Sequence, residues 1–589
     1  MAVYNDSLNI TPAAGISSKV SLNSSHLTTL DFGQIVPLYC QSLLPRDNFN
    51  IRFNIFSRVA PMNFPAYVDI NAVAVTGYVP YYQVFDGADA YFTGTAIFKG
   101  KTPGLPCFSA YSLDQLFLTS QYNLVESTTK DAANIVVASS NSKYYKFTYK
   151  GRLFYKILRS LGYQLSSGID DVKDDTDLTS YYYKSRRLPL NALRLLCFCK
   201  MYDDWFTSSF TYASSLLGEL LEKIKHTSYT SNYTSWITTA QLYSLLDSIR
   251  LMYKNDYFTN AWRYTNAPVN NIGYTFSVPT SAGAGRSVVS NNNDTETGVY
   301  HPTGNFGYLT AMQVRSLNAL DNFIRRNNYA GTKPAIRALA KFGIKTEDFK
   351  SNYADIIDIK RVPLNIGDVT QQSETNTSPL GSFAGKGIVN GEANVSVQCS
   401  DYGELFILGF LQVDTCYPQG YDRDILKTDF FDFYNPEFDG LGMQPISYNE
   451  LVSDPSNSDF ASGDDYVGDK VFGFTERYNE YRTSRDKITG DYLLFGELLS
   501  WHAGRQMMPF RLNLVNAQNS NFIYYPNDKQ SEFDRIFALT DSANFNTPDH
   551  FYVTTYFSVN AVRPIKNSNQ IANLGVGDVN IQKSGTHVE

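Results

Sequence analysis

The chain has 589 residues, of which 43% are hydrophobic and 15% aromatic, so it can bury a large core and is not globally disordered. Charged residues are only 18% and the formal net charge is −7, which excludes a histone-like or basic-armed packer of nucleic acid on bulk electrostatics. Much of the surface must therefore be uncharged polar, or hidden against partners.

Residues 1–30 contain one lysine, Lys19, and are otherwise mostly Ser, Thr, Asn, Leu and Ala. They read as an extended uncharged N-terminal arm, a clamp that orders on neighbouring subunits, without the positive start and apolar core of a secretion signal. Residues 31–110 read as strands. Phe49 to Phe56 alternates apolar and polar with period two, and Tyr67 to Val75 repeats the pattern, as half-buried strands do. Residues 111–379 change to helical spacing and loops. Leu190 to Phe206, Trp236 to Tyr253, Thr310 to Asn327 and Pro334 to Phe342 each carry an apolar stripe, the last with Gly343 as its stop. The stretch 268–307, rich in Asn, Gly, Ser and Thr, reads as a long surface loop. From 380 to 589 the β pattern returns: Ala393 to Cys399 alternates, Leu405 to Val413 is a continuous apolar run, and Phe551 to Val559 alternates again. β-patterned ends around a helical middle predict one sandwich interrupted by a large insertion. No window is apolar over the ~18 residues a membrane helix requires.

Few residues are arranged for chemistry. Gly381 to Gly387 resembles a phosphate loop but has three residues between its first glycines and Gly387 where the magnesium-binding hydroxyl belongs. The six histidines are scattered, and Cys197 and Cys199 stand two apart with no second pair, so they read as buried thiols. Asp454, Asp459, Asp464, Asp465 and Asp469 form an acidic loop without the spacing of a calcium-binding hand. No catalytic group, metal site or cofactor is expected. The basic stretch carries Lys143, Lys146, Lys150, Arg152, Lys156 and Arg159, interleaved with tyrosines and phenylalanines. Cations beside rings suit single-stranded nucleic acid; the alternative is a core aromatic face with solvated lysines.

The order of local motifs resembles the major capsid protein of microviruses, small icosahedral single-stranded-DNA bacteriophages, in their gokushovirus-like branch. The motifs are Gly33 to Gln41, Leu44-Pro45-Arg46-Asp47, Arg58 to Met62, Asn255 to Ala261, Leu309 to Ile324, Gly331-Thr332 and Lys341 to Ile344. They continue with Gly385-Lys386-Gly387, Tyr417-Pro418-Gln419-Gly420, Phe431 to Phe438, Phe533 to Ala538, Asp549-His550-Phe551 and Val562-Arg563-Pro564. Residues 81–86, where such proteins usually carry a tryptophan, depart from the pattern. The resemblance implies a mainly β fold, an eight-stranded antiparallel jelly-roll sandwich with a large, partly helical insertion. It implies a homo-oligomer of sixty copies forming a T=1 icosahedral shell around circular single-stranded DNA. The partners it implies are a minor DNA-pilot protein, an internal scaffolding protein, a small basic DNA-binding protein and a host surface receptor. The location it implies is the virion, with assembly in the host cytoplasm. A different class, a secreted carbohydrate-binding or outer-membrane β-rich protein, also suits the Tyr and Asn content but requires a signal peptide.

Overall fold

The computed structural model describes residues 17–94, 104–118, 149–165, 188–207, 216–229, 236–261, 353–370, 383–439, 443–452, 471–505, 533–538 and 548–565. It also describes the short backbone segments 124–127, 137–138 and 144–147 and isolated positions between 315 and 343. Ten strands build the sandwich. In chain order they are β1 (Ser18–Ser21), β2 (Ser24–Leu30), β3 (Ile35–Leu43), β4 (Asn48–Val59) and β5 (Ile70–Pro80). After the insertion come β6 (Asp355–Pro363), β7 (Asn365–Thr370), β8 (Phe383–Gln398), β9 (Gly403–Val413) and β10 (Phe551–Arg563).

One sheet runs β1–β10–β4–β8–β7, with β2 following β1 along the same edge of β10; the other runs β6–β5–β9–β3. All pairs are antiparallel. The expected mainly-β sandwich is therefore present, with ten strands instead of eight because β1 and β7 extend opposite edges of the first sheet. Residues 18–30, read from sequence as part of an arm, pair with β10, and residues 355–370, read as insertion, supply β6 and β7. Residues 1–16 and the 268–307 loop lie outside the described residues.

The two sheets differ in how they meet water. Along β4, Phe49, Ile51, Phe53 and Ile55 are buried while Asn48, Asn50 and Arg52 are exposed; β10 alternates likewise from Phe551 to Ala561. Period-two patterning wets one face of a sheet. By contrast Leu405 to Leu411 of β9 is buried on both sides. Its outer face is covered by helix α3 (Leu193–Phe206) of the insertion; α2 (Tyr149–Ser160) lies farther along the same sheet, and α1 (Ala110–Leu118), α4 (Leu216–Lys225) and α5 (Thr239–Asp247) form a further layer, α4 packing on α3 and α5 on both α1 and α4. Helix α3 sets Phe198 against Phe406 and Phe206 against Phe410 edge to face, with ring centroids 6.3 and 5.5 Å apart. Helix α2 lies on β3, where the Cys40 thiol reaches the Ser160 carbonyl at 3.4 Å.

Local chemistry explains the helix ends. Thr238 caps α5, its hydroxyl accepting from the Gln241 amide while the Gln241 side chain accepts from the Thr238 amide. The helix stops at Asp247, short of the Tyr253 expected from its stripe. The Tyr202 hydroxyl explains this, donating to the Arg250 carbonyl at 2.6 Å and accepting from the Arg250 amide at 3.0 Å. Lys200 is buried in α3 and paired with Asp204 at 2.7 Å, and Asp204 also accepts from the Ala354 amide at 2.8 Å. Of the two predicted helices beyond residue 309, isolated helical positions are described, and Gly343 closes the second with φ 68°.

The two sheets touch where Val362 of β6 projects over Gly391 of β8; a Cβ at Gly391 would overlap both Val362 methyls. Gly391→Ala should therefore cost about 1–3 kcal/mol through overpacking. Gly496→Ala, with nothing near its Cβ position, should stay within about 0.5 kcal/mol of the parent. Urea unfolding of both variants checks the contrast.

Candidate assembly and nucleic-acid surfaces

The sequence motifs meet in pairs at buried junctions. Asp47 in the β3–β4 turn and Arg563 at the end of β10 form an ion pair at 2.9 Å, and the same guanidinium donates to the Ser42 carbonyl. At the other end of β10, His550 bonds the Asp31 carboxylate at 2.9 Å, lies 3.8 Å from Asp534 and stacks on Phe537 with centroids 4.2 Å apart. Pro61 and Ala538 bond through their backbones, as do Met62 and Gly385. Each junction joins stretches hundreds of residues apart. Their polar groups are buried and hydrogen-bonded, the condition under which such groups support a fold.

The basic stretch divides between fold and surface. Lys143 lies outside the described residues, and Lys146 sits on a short strand, Tyr144–Phe147, opposite Val125. Helix α2 buries Leu153, Phe154, Ile157 and Leu158. Lys150 pairs with Asp247 and bonds the Tyr243 hydroxyl at 3.1 Å. Lys156 reaches into the sandwich, donating to Asp549 at 2.5 Å, to the Gln34 side chain at 2.5 Å and to the Thr29 carbonyl at 3.3 Å. Arg152 is half-buried and acts on Asp549 through its charge; Arg159 is exposed. Burial alone would raise the Asp549 carboxyl, but the charge and hydrogen bonds of Lys156, helped by Thr29 and Arg152, hold it below the usual carboxylate range. Composition had not revealed that Lys156 is an internal anchor, because its partners come from β2, the following turn and the start of β10.

A second, smaller core of Phe258, Ala261, Ile446, Leu451 and Val452 supports the segments 414–452 and 471–505. Glu450 is fully buried there, held by Arg423 at 2.9 Å and the Tyr257 hydroxyl at 3.0 Å. Arg505 is also fully buried, its guanidinium 3.9 Å from the centre of the Tyr253 ring and bonded to the Tyr417 hydroxyl. On this rigid base stands an exposed aromatic patch that sequence reading missed. Phe433 and Tyr481 flank Lys427, whose ammonium lies 4.1 Å from the Tyr481 ring centre, and Tyr434 packs against Tyr481 with centroids 6.0 Å apart. Phe430, Leu494 and Phe495 are exposed on the same segments. Their signal was the aromatic run Phe430 to Tyr434, with too few charges for a merely solvated loop.

The remaining candidates have plain structural settings. The glycine-rich run leads into β8, and both backbone groups of Gly385 are bonded to Met62, which leaves its amide turned away from any phosphate. Cys197 and Cys199 are buried in α3, and burial pushes both thiols upward, so they are protonated at neutral pH. The acidic loop from Asp454 to Asp469 lies outside the described residues. Among the described residues no helix is long and apolar enough to cross a membrane.

An antiparallel sandwich clad on one face by inserted helices, with exposed aromatics on a buttressed segment, has the build of a structural protein. The chain belongs to the capsid protein (F protein) family, whose model matches residues 186–571. It is 26% identical over 269 residues to capsid protein VP1 of Chlamydia phage 1, covering 44% of this chain and 41% of that protein. It is 25% identical over 199 residues to capsid protein VP1 of Bdellovibrio phage phiMH2K, covering 33% and 36%. The chain thus spans about two fifths of the length of these relatives. Both sources are gokushoviruses of the Microviridae, in agreement with the resemblance read from the motifs, and the family is structural, not enzymatic.

The Lys156–Asp549 pair makes a testable link between insertion and sandwich. Lys156→Met leaves a buried carboxylate without its cation and should cost about 3–5 kcal/mol in urea unfolding. Because the folded Asp549 carboxyl is depressed, its contribution is complete above the ordinary value near 4 and is lost as pH falls through the lower folded value. Asp549→Asn should accordingly flatten the loss of stability below about pH 4; an unchanged acid limb would show that this pair is not what acid breaks.

Proposed function

We propose that this protein is the major shell subunit of a small phage: sixty copies close a T=1 icosahedral capsid around a circular single-stranded DNA genome. The observation that carries the reading is the capsid-family match over residues 186–571, which takes in helices α3 to α5 of the cladding, strands β6 to β10 and the exposed aromatic patch. The strand order supports a jelly roll. Strands β2, β10, β4 and β8 form one four-stranded set and β3, β9, β5 and β6 the other, and the chain crosses between the sheets at most connections. Closed shells are built from many contacts that repeat around symmetry axes. Exposed Tyr and Phe on a firm base, with low surrounding charge, are the residues that dominate such contacts.

A net charge of −7 supports a separate small basic protein that neutralises packaged DNA; a pilot protein, an internal scaffolding protein and a host receptor enter this reading through the family resemblance alone. Of the predicted DNA contacts, Arg159 keeps that role in our reading; Lys150 and Lys156 serve the fold. The chain functions in the virion after assembly in the host cytoplasm.

The test is assembly. Phe433→Ser with Tyr481→Ser should leave circular dichroism and the unfolding midpoint nearly unchanged while lowering particle yield at least tenfold by sedimentation and negative-stain microscopy. Normal particles from the double variant would remove this patch from the subunit contacts. A parent chain that stays monomeric under all assembly conditions would remove the shell reading.

A further inference from the structure

The outer face of the six-stranded sheet is exposed along β4, β8 and β10, and its residues can be read row by row from the strand register. Across one end run Tyr552 of β10, Arg58 of β4 and Ile388 of β8; next come Leu27, Thr554, Phe56 and Asn390; then Ser25, Tyr556, Asn54 and Glu392. Further rows hold Ser558, Arg52 and Asn394, then Ser21, Asn560, Asn50 and Ser396, and last Lys19, Val562, Asn48 and Gln398. Lys386 lies two residues before Ile388 on the same face of β8 and is exposed.

Three properties of this face point the same way. Its charged residues among those described are four cations, Lys19, Arg52, Arg58 and Lys386, against one carboxylate, Glu392, which is paired with Arg52 at 3.3 Å. That balance is opposite in sign to the chain as a whole, at −7. Second, aromatic rings stand out from it: Tyr556 is 60% exposed, Tyr552 is exposed, and Phe56 lies 5.7 Å beneath the Arg58 guanidinium. Third, the remaining positions are mostly Asn, Ser and Gln, which donate and accept hydrogen bonds without adding negative charge. Cations for phosphates, rings for unstacked bases and neutral polar groups between them make a surface for single-stranded nucleic acid bound without sequence preference.

We infer that the open face of the six-stranded sheet is the surface through which each subunit contacts packaged single-stranded DNA. The inference rests on the shell reading and adds to it an orientation: this sheet faces inward, and the helix-clad sheet lies outward of it. It also shifts the main DNA contact from the basic stretch at Lys143 to Arg159, where two cations are engaged internally, to a β-sheet whose cations sequence reading passed over because they are dispersed along three strands.

The test uses purified full-length protein and a fluorescent thirty-nucleotide oligodeoxythymidine as the probe, with anisotropy read across a salt series. The variant Lys19→Gln, Arg52→Gln, Arg58→Gln, Lys386→Gln should bind roughly tenfold or more weakly at low salt, with the log–log salt slope reduced by about 2–3, given ~0.7 per phosphate contact on single strands. Tyr552→Ser with Tyr556→Ser should weaken binding several-fold with the slope unchanged, since rings contribute stacking and not charge. All six positions are solvent-facing, and an unchanged unfolding midpoint verifies that the fold is intact. Parent-like affinity and slope in the four-cation variant would overturn the inference. So would parent-like DNA binding combined with failed shell closure, which would make the face a subunit contact. Microscopy of the same preparations separates the two levels: if neither parent nor variant forms particles the shell reading fails, whereas closed variant particles with reduced DNA content support the orientation.

Discussion

Strand β4 is the element on which the rest depends. It pairs along its whole length with β8 on one side and β10 on the other, so residues 48–59 are held between residues 383–398 and 551–563. Closing loops of several hundred residues costs conformational entropy, though the cost rises only logarithmically with length. The apolar inner faces of three long strands, buried against the second sheet, offset that cost. Buried ion pairs fix the result: Asp47 with Arg563 at one end of β10, and Asp549 with Lys156 at the other. A hydrophobic sheet could slip in register; charged groups buried in matched positions penalise each slipped arrangement.

How much of this could be read from sequence depended on whether the signal was local. Period-two alternation at Phe49 to Phe56 and Phe551 to Val559 marked strands with one wet face, and the unbroken run at Leu405 to Val413 marked a strand covered on both. All three readings hold, because alternation and burial are the same physical fact seen in two ways. The edges were harder. Residues 18–30 lack a strong pattern since an edge strand buries few side chains, so they read as an arm and fold as β1 and β2. Asn365 to Thr370 was missed for the same reason. Helix ends failed where a distant group intervened, as the Tyr202 hydroxyl does at Arg250.

The candidate surfaces were less legible than the fold. A run of cations at Lys143 to Arg159 drew attention because it is contiguous, yet Lys150 and Lys156 are satisfied by carboxylates from other parts of the chain. Of the cations of the open sheet face, Arg52 and Arg58 share β4, but Lys19 and Lys386 lie tens and hundreds of residues from them and join them only through strand register. The aromatic patch around Lys427 likewise depends on Phe433 and Tyr481 meeting in space. Contiguity in sequence is a poor guide to a surface; register is a good one. The division of labour that results is simple: among the described residues, helices of the insertion cover much of one sheet, the other sheet presents an exposed face, and the segments 414–439 and 471–505 present rings above a small buried core.

Native-state amide hydrogen exchange of the purified subunit tests the central claim most directly. If the two ends of the chain make one sandwich, the inner amides of β4, β8 and β10 open only in global unfolding and share one highest free energy of exchange. Two separate plateaus, with β10 exchanging at a lower free energy than β4 and β8, would show that the C-terminal strand is an independent unit and would contradict the account.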